Sequence, residues 1–372
     1  MTEQPFDPWK DSWAFTPRYE RWIESLEVPI HRAYYIDDLR TIEVGPWEDQ
    51  EINTAVVVLE GNKDFMETRL TEIPPAGTAR PMKFSLDDII YVVSGYGMAT
   101  VWSDDGGPKR TFEWQPHSLF FIPRNYTYQL SNAQGHLPAR LLHYNYLPMA
   151  MSMIPEPDYF FNNPALKPSF DLMGGEDHNV YSEAKWVPTA RRGRRGGWVA
   201  SFFPDLMAFD KVHHNEGQGV LPNLSYCLPN VTSLRIGGRV LPPGTYKPAH
   251  YHGAGAIIVI PGGEGFSLMW PVFDDTQEKM LIPWHEGSLI GPPNLWYHQH
   301  MNSGTESTRY ITLHPARHIE PEYQGSQIHY ADEDPWIRKT FEEALAKHGT
   351  KSQMPDGLYE SRDFKWEAPG DD

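Results

Sequence analysis

The chain has one cysteine, Cys227, among its 372 residues. A lone thiol makes no intramolecular disulfide and no cysteine-rich zinc site, which fits a reducing compartment. Basic residues are also scarce. Lys and Arg number 32 against 49 Asp and Glu, leaving a formal charge of −17. So acidic a surface repels nucleic-acid phosphates and anionic lipid, and neither is expected as a partner. No apolar run approaches the roughly 20 residues that span a bilayer. The opening MTEQPFDPWKDSW lacks the basic and apolar stretches of a secretory signal. The expectation is a soluble, cytoplasmic protein.

What the sequence does have points to strands. Its 34 prolines and 30 glycines weaken helix interiors. Apolar residues make up 40%, with 13 Trp, 19 Tyr and 17 Phe, enough to bury a sizeable core. Apolar runs such as TAVVVLEG, DIIYVVSGYG, HSLFFIP and RLLHYNYLP are punctuated by Gly and Pro. The expected fold class is all-β with short peripheral helices. Thr16 to Leu26 predicts one such helix, with Pro17 at its first position. Ile337, Phe341 and Leu345 fall at i, i+4 and i+8, predicting another that Gly349 stops.

An internal repeat organises the chain. Pro75-Ala-Gly77-Thr-Ala-Arg-Pro81 matches Pro242-Pro-Gly244-Thr-Tyr-Lys-Pro248 without a gap. Ile89 to Gly95 then matches Ala256 to Gly262, and His117 to Pro123 matches Gly287 to Pro293. Two copies of one β-domain are expected, at 52–150 and 219–318. An arm over 1–51, an interdomain segment over 151–218 and a helix with a tail over 319–372 complete the chain. The interdomain segment carries Arg191, Arg192, Arg194 and Arg195. These are a solvated loop or, alternatively, a phosphate or carboxylate clamp.

In the second copy, His250 and His252 stand at i and i+2, which on a strand is one face. His298 follows in Trp296-Tyr-His298-Gln-His300-Met-Asn302. A third imidazole from another strand would complete a facial metal set. Gly-x5-His-x-His, an apolar strand ending in Gly, and then Gly-x5-Pro-x4-His-x3-Asn resemble the two cupin motifs. Both halves share the resemblance, so the chain resembles a bicupin of two double-stranded β-helix barrels. The resemblance implies His250, His252 and His298 as metal ligands.

The glutamate usual after the second histidine is missing, because Ala256 and Ile257 occupy its place. A three-histidine site is therefore expected, similar to the gentisate and salicylate 1,2-dioxygenase branch. The chain departs from that branch in holding the set in its second barrel, and in having Gln299 where an aspartate is usual. With a three-residue insertion between the motifs, Lys83, Ser85 and Tyr128 stand opposite the three ligands, so the first barrel is expected to hold no metal and to serve assembly of a homo-oligomer, or alternatively to form a metal-free small-molecule pocket. Alternation places Trp296 and His300 inward with His298. His300 and Gln299 are the catalytic candidates. Arg235, Arg239 and Trp296 are the substrate-binding candidates. His213, His214, His314 and His318 have no motif around them and carry no assigned role.

The implied cofactor is Fe(II), with Zn, Mn or Ni as alternatives. The implied function is a ring-cleaving or C–C-cleaving dioxygenase, with a hydroxylated aromatic or enolisable small molecule and dioxygen as co-substrates. The alternatives are a metal-dependent lyase, isomerase or hydrolase, and a bicupin that binds without catalysis.

Overall fold

The computed structural model describes residues 17–168, 180–188, 196–209, 221, 223–229, 231, 233–273, 278–316, 319 and 326–366. The four arginines from Arg191 to Arg195, and His213, His214 and His318, lie outside them. The chain forms two compact units. One is drawn from Met1–Arg32, Glu43–Val58 and Asn62–Ser182, the other from Ala33–Ile42, Leu59–Gly61 and Glu183–Asp372. This differs from the expected boundaries. The arm divides between the units, and the 151–218 segment divides after Ser182. Among the described residues no helix is long and apolar enough to cross a membrane.

In the first unit the strands that repeat in the second are β1 (Glu67–Ile73), β2 (Met82–Lys83), β3 (Asp88–Ser94), β4 (Gly97–Trp102), β5 (Arg110–Trp114), β6 (Leu119–Ile122), β7 (Thr127–Asn132) and β8 (Ala139–Asn145), and Ile52–Leu59 pairs with β1. One sheet runs β1-β8-β3-β6 and the other β2-β7-β4-β5. All pairs are antiparallel, and apart from the β4–β5 hairpin the neighbours in space are distant in sequence, which makes a jelly roll. The second unit repeats the order. Its repeated strands are β9 (Leu234–Leu241), β10 (Ile257–Gly262), β11 (Gly265–Pro271), β12 (Met280–Trp284), β13 (Leu289–Ile290), β14 (Trp296–Met301) and β15 (Thr308–Pro315). They form sheets β9-β15-β10-β13 and β12-β11-β14. The counterpart of β2 is an irregular segment bridged to β14 at Tyr246–Met301 and His250–His298.

The register of the repeat corrects the sequence alignment by one residue. The Ala79 N–H bonds to the Leu130 carbonyl as the Lys247 N–H bonds to that of His300. The Asn132 N–H bonds to Gly77 as the Asn302 N–H bonds to Thr245. Gly244 (φ +71°) therefore corresponds to Ala76 (φ +52°), not Gly77. Matching glycine to glycine slid the alignment, because Ala76 accepts the left-handed turn that glycine ordinarily serves. A one-residue slip exchanges the faces of a strand. Met82 pairs with Tyr128 as His250 pairs with His298. The residues in the ligand positions are thus Met82, Phe84 and Tyr128, all buried, in place of Lys83, Ser85 and Tyr128. The first barrel still offers no metal set there.

Both predicted helices form. Arg18–Ser25 buries Tyr19, Trp22 and Ile23. Pro335–Lys347 is capped by Asp334, whose side chain accepts the Trp336 N–H. It ends where Gly349 takes φ +68° and the Thr350 N–H returns to the Leu345 carbonyl. Ile337, Phe341 and Leu345 pack on Tyr246, Phe266, Leu268 and Met301. Each such side chain contributes about 1.5–3 kcal/mol on burial. The helix therefore covers the outer face of β14, and the opposite face of β14 looks into the barrel.

Candidate metal centre

Strand β14 sorts its side chains by alternation. His298 and His300 lie opposite Met269 and Ser267 of β11. Met269 belongs to the interior cluster with Ile258, Ile260, Ile290 and Tyr310, so this face points inward. Trp296 shares it, half-buried against that cluster and 5.6 Å from the Tyr34 ring. Gln299 lies opposite Leu268, which packs under the helix. The expectation for Gln299 is corrected. Its side chain is beside Glu333 and away from the histidines.

Burial lifts the Glu333 carboxyl to about 7, against the Tyr246 hydroxyl, which donates to it and draws it down. A carboxyl raised in the folded state is fully accommodated only while protonated. Its contribution is present below the unfolded value and is lost as pH rises through about 7. Glu333→Gln should therefore flatten the fall in stability between about pH 4.5 and pH 7. The gain at neutral pH should be at most ~3 kcal/mol. Thermal melts of both proteins across that range check it, and parallel curves would contradict it.

His250 and His298 exchange both backbone hydrogen bonds, 3.1 and 2.9 Å, which sets their side chains on one side. Their ring centres are 4.3 Å apart, and that of His252 is 4.7 Å from His298. One ligand atom from each of His250, His252 and His298 lies within 4.8 Å of the others. In each ring Nδ1 sits on a backbone carbonyl: Pro248 at 3.3 Å, Gly253 at 2.9 Å and Trp296 at 3.2 Å. Donation there fixes the tautomer and leaves the three Nε2 lone pairs for a metal ion. Burial, then Lys247, holds His250 well below the usual imidazole range. Burial, then His252, does the same to His298. Neutral imidazoles are what a metal ion requires.

His300 is a different kind of group. Its Nδ1 is 2.7 Å from the Ser267 hydroxyl, which also accepts the Trp284 indole N–H at 3.0 Å. Ser267 is fully buried. Its hydrogen is satisfied only by donation to His300 Nδ1, so Nε2 of His300 carries the proton. Burial, then Lys247, pushes His300 down to about 3. His300 is thus a neutral hydrogen-bond donor beside the metal set.

Two basic groups join the site that the motif does not name. Lys247 is buried and donates from Nζ to His250 Nε2 at 2.8 Å. A metal ion on that lone pair would replace this hydrogen bond. His314 is 8% exposed, with its ring 5.5 Å from that of His252. Its Nδ1 has no hydrogen-bond partner among the described residues. The period of two along β15 puts Tyr310, Thr312 and His314 on one face, and the pairing of β15 with β9 and β10 makes that face the inward one. Arg239 and Arg235 lie opposite Tyr310 and His314 on β9, on the face that those residues share. Arg239 is buried and hydrogen-bonds Tyr310, while Arg235 is half-buried and donates from Nε to the Pro315 carbonyl at 3.1 Å.

No family model matches the chain, and no curated protein matches it. Solved structures do. The chain is similar to a salicylate 1,2-dioxygenase from Pseudaminobacter salicylatoxidans at 12% identity, covering 68% of this chain and 71% of that one, with a TM-score of 0.49. It is similar to the oxalate decarboxylase of Lactobacillus farciminis at 11% identity, with coverages of 85% and 93% and a TM-score of 0.48. It is similar to vicilin from Corylus avellana at 11% identity, with coverages of 86% and 98% and a TM-score of 0.47. An enzyme that uses oxygen, a decarboxylase and vicilin do not select a reaction, and the strand order carries the structural argument without them. The fold is that of a bicupin: two jelly-roll barrels in one chain, the second with three imidazoles converging on one point.

Proposed function

We propose that the second barrel is the site of a metal-dependent oxygenase, and that the metal is Fe(II) held by His250, His252 and His298. The observation that carries the reading is the donor set: three imidazoles, with alanine at Ala256 and no carboxylate among them. Such a set leaves the full charge of a divalent ion in place. Ferrous iron, when bound, supplies the electron transfer to dioxygen that a protein side chain does not. The chain's own residues do the rest. Arg239 and Lys247 set a positive potential that favours an anion. His300 directs one N–H into the same space, where it can hold an oxygen atom in place. Trp296 forms an apolar wall and helps to exclude water. The substrate class is a hydroxylated aromatic or enolisable acid, and the outcome is C–C cleavage.

A neutral three-histidine set is also a zinc arrangement, so a lyase, isomerase or hydrolase is the competing reading. Metal analysis of protein purified without oxygen, followed by oxygen uptake with hydroxybenzoates, aminophenols and diketones, separates them. Uptake with one of these classes on the ferrous protein is the expected result. No uptake with any, together with oxygen-independent turnover on zinc, manganese or nickel, would replace the oxygenase reading.

A further inference from the structure

The two barrels share one strand order but fill their interiors with opposite charge. In the first, buried charges are paired. Arg69 lies 3.6 Å from Glu67, His143 Nδ1 lies 2.7 Å from Asp88, and Asn145 donates to both carboxylates. The second barrel has lost these acids. Ile90 pairs with His143 as Ile258 pairs with Thr312, so Asp88, two residues before Ile90, corresponds to Ala256. By the same register Glu67, opposite Asn145, corresponds to Arg235, opposite His314. An acid has become a base and another has become a methyl group.

Lys247 sits in the middle of this change. It is 8% exposed, and its amine has one side-chain partner among the described residues, His250 Nε2. Among the described residues the side chains of Lys247, His250, His298 and His300 meet one another, a serine hydroxyl and backbone carbonyls, and no hydrogen bond joins them to a carboxylate. A buried amine without an acid is costly unless something arrives to pair with it. In a chain with 49 acidic residues, the lack of an acid against these side chains among the described residues is a local feature and not a shortage. When a metal ion takes the His250 lone pair, Lys247 loses the partner it has.

We propose that Lys247, with Arg239 beside it, anchors a carboxylate on the molecule that binds at the three-histidine set. The substrate is then a small acid whose carboxylate is held by the protein while another oxygen faces the metal ligands. This rests on the proposed function only in sharing its site.

The test uses metal-free full-length protein, so that it stands apart from the metal assignment. Benzoate and glycolate are titrated by calorimetry alongside their neutral isosteres, benzamide and glycolamide. Wild-type protein should prefer at least one carboxylate over its amide by roughly tenfold or more. Lys247→Met should abolish that preference, and Lys247→Arg should keep most of it. Lys247→Met should also melt at a higher temperature than wild type when no ligand is present, because it removes a buried group that lacks an acid. The melts show whether each variant is folded. A carboxylate preference that survives Lys247→Met, or its absence from the wild type for both acids, overturns the proposal. Equilibrium dialysis of the same proteins against Fe(II) reports separately on the histidine set, and failure there leaves the carboxylate result intact.

Discussion

Replacing His298 by Ala is expected to remove nearly all bound metal while the barrel stays folded. His298 supplies one Nε2 of three, and its ring bridges the other two, 4.3 Å from His250 and 4.7 Å from His252. Losing even a hydrogen-bond partner of a metal ligand costs roughly 10–100-fold in affinity, so losing the ligand should cost more. The fold should survive because β14 keeps its pairing with β11 and the Tyr246–Met301 contact under the helix. Two controls give the result its meaning. His300→Ala should retain metal, because Nε2 of that ring carries a proton. His314→Ala should retain it as well, since His314 stands outside the converging set. Wild-type protein should hold close to one metal ion per chain. Full occupancy in His298→Ala would remove the assignment, and two ions per chain would show a second site in the first barrel. Metal analysis after dialysis, with circular dichroism on the same samples, measures all of this.

The sequence made the metal ligands visible because their geometry is local. Two histidines at i and i+2 share a face of any extended segment, and a third near the end of an apolar run needs only one strand pairing to join them. The all-β class and both helices were legible for the same reason, in turn residues and a 3.6-residue period. Lys247 and His314 were not legible, because each depends on register across the sheet. Lys247 lies in the same motif as the histidines, but the Lys247 N–H to His300 carbonyl bond gives it its place. His314 faces inward only through the pairing of β15 with β9 and β10. The repeat failed by one residue where Ala76 adopts a positive φ that sequence comparison assigns to glycine. Gln299 is the instructive case. The alternation that turns His300 inward must turn Gln299 outward, so its distance from the site was readable from period alone.

Ser267→Ala should change the proton position on His300 without touching the metal ligands. The Ser267 hydroxyl accepts from Trp284 at 3.0 Å and serves His300 Nδ1 at 2.7 Å, and it is fully buried. Its removal leaves the indole N–H unsatisfied, at a cost of about 1–3 kcal/mol. It also releases Nδ1, so that the ring no longer has a reason to keep its hydrogen on Nε2. Nitrogen-15 spectra of the metal-free protein should show the Nε2–H tautomer in wild type and a mixture in Ser267→Ala. A purely structural role would move the melting temperature and leave the tautomer alone. Ser267→Ala with Trp284→Phe should recover part of the lost stability, because both polar partners are then gone, yet it should not restore the tautomer. If His300 donates to the bound ligand, turnover on whichever substrate supports oxygen uptake should fall roughly 10–100-fold in both variants, with metal content unchanged. An unchanged tautomer in Ser267→Ala would mean that Tyr310, whose ring is 5.0 Å from that of His300, or the surrounding cations hold the imidazole instead.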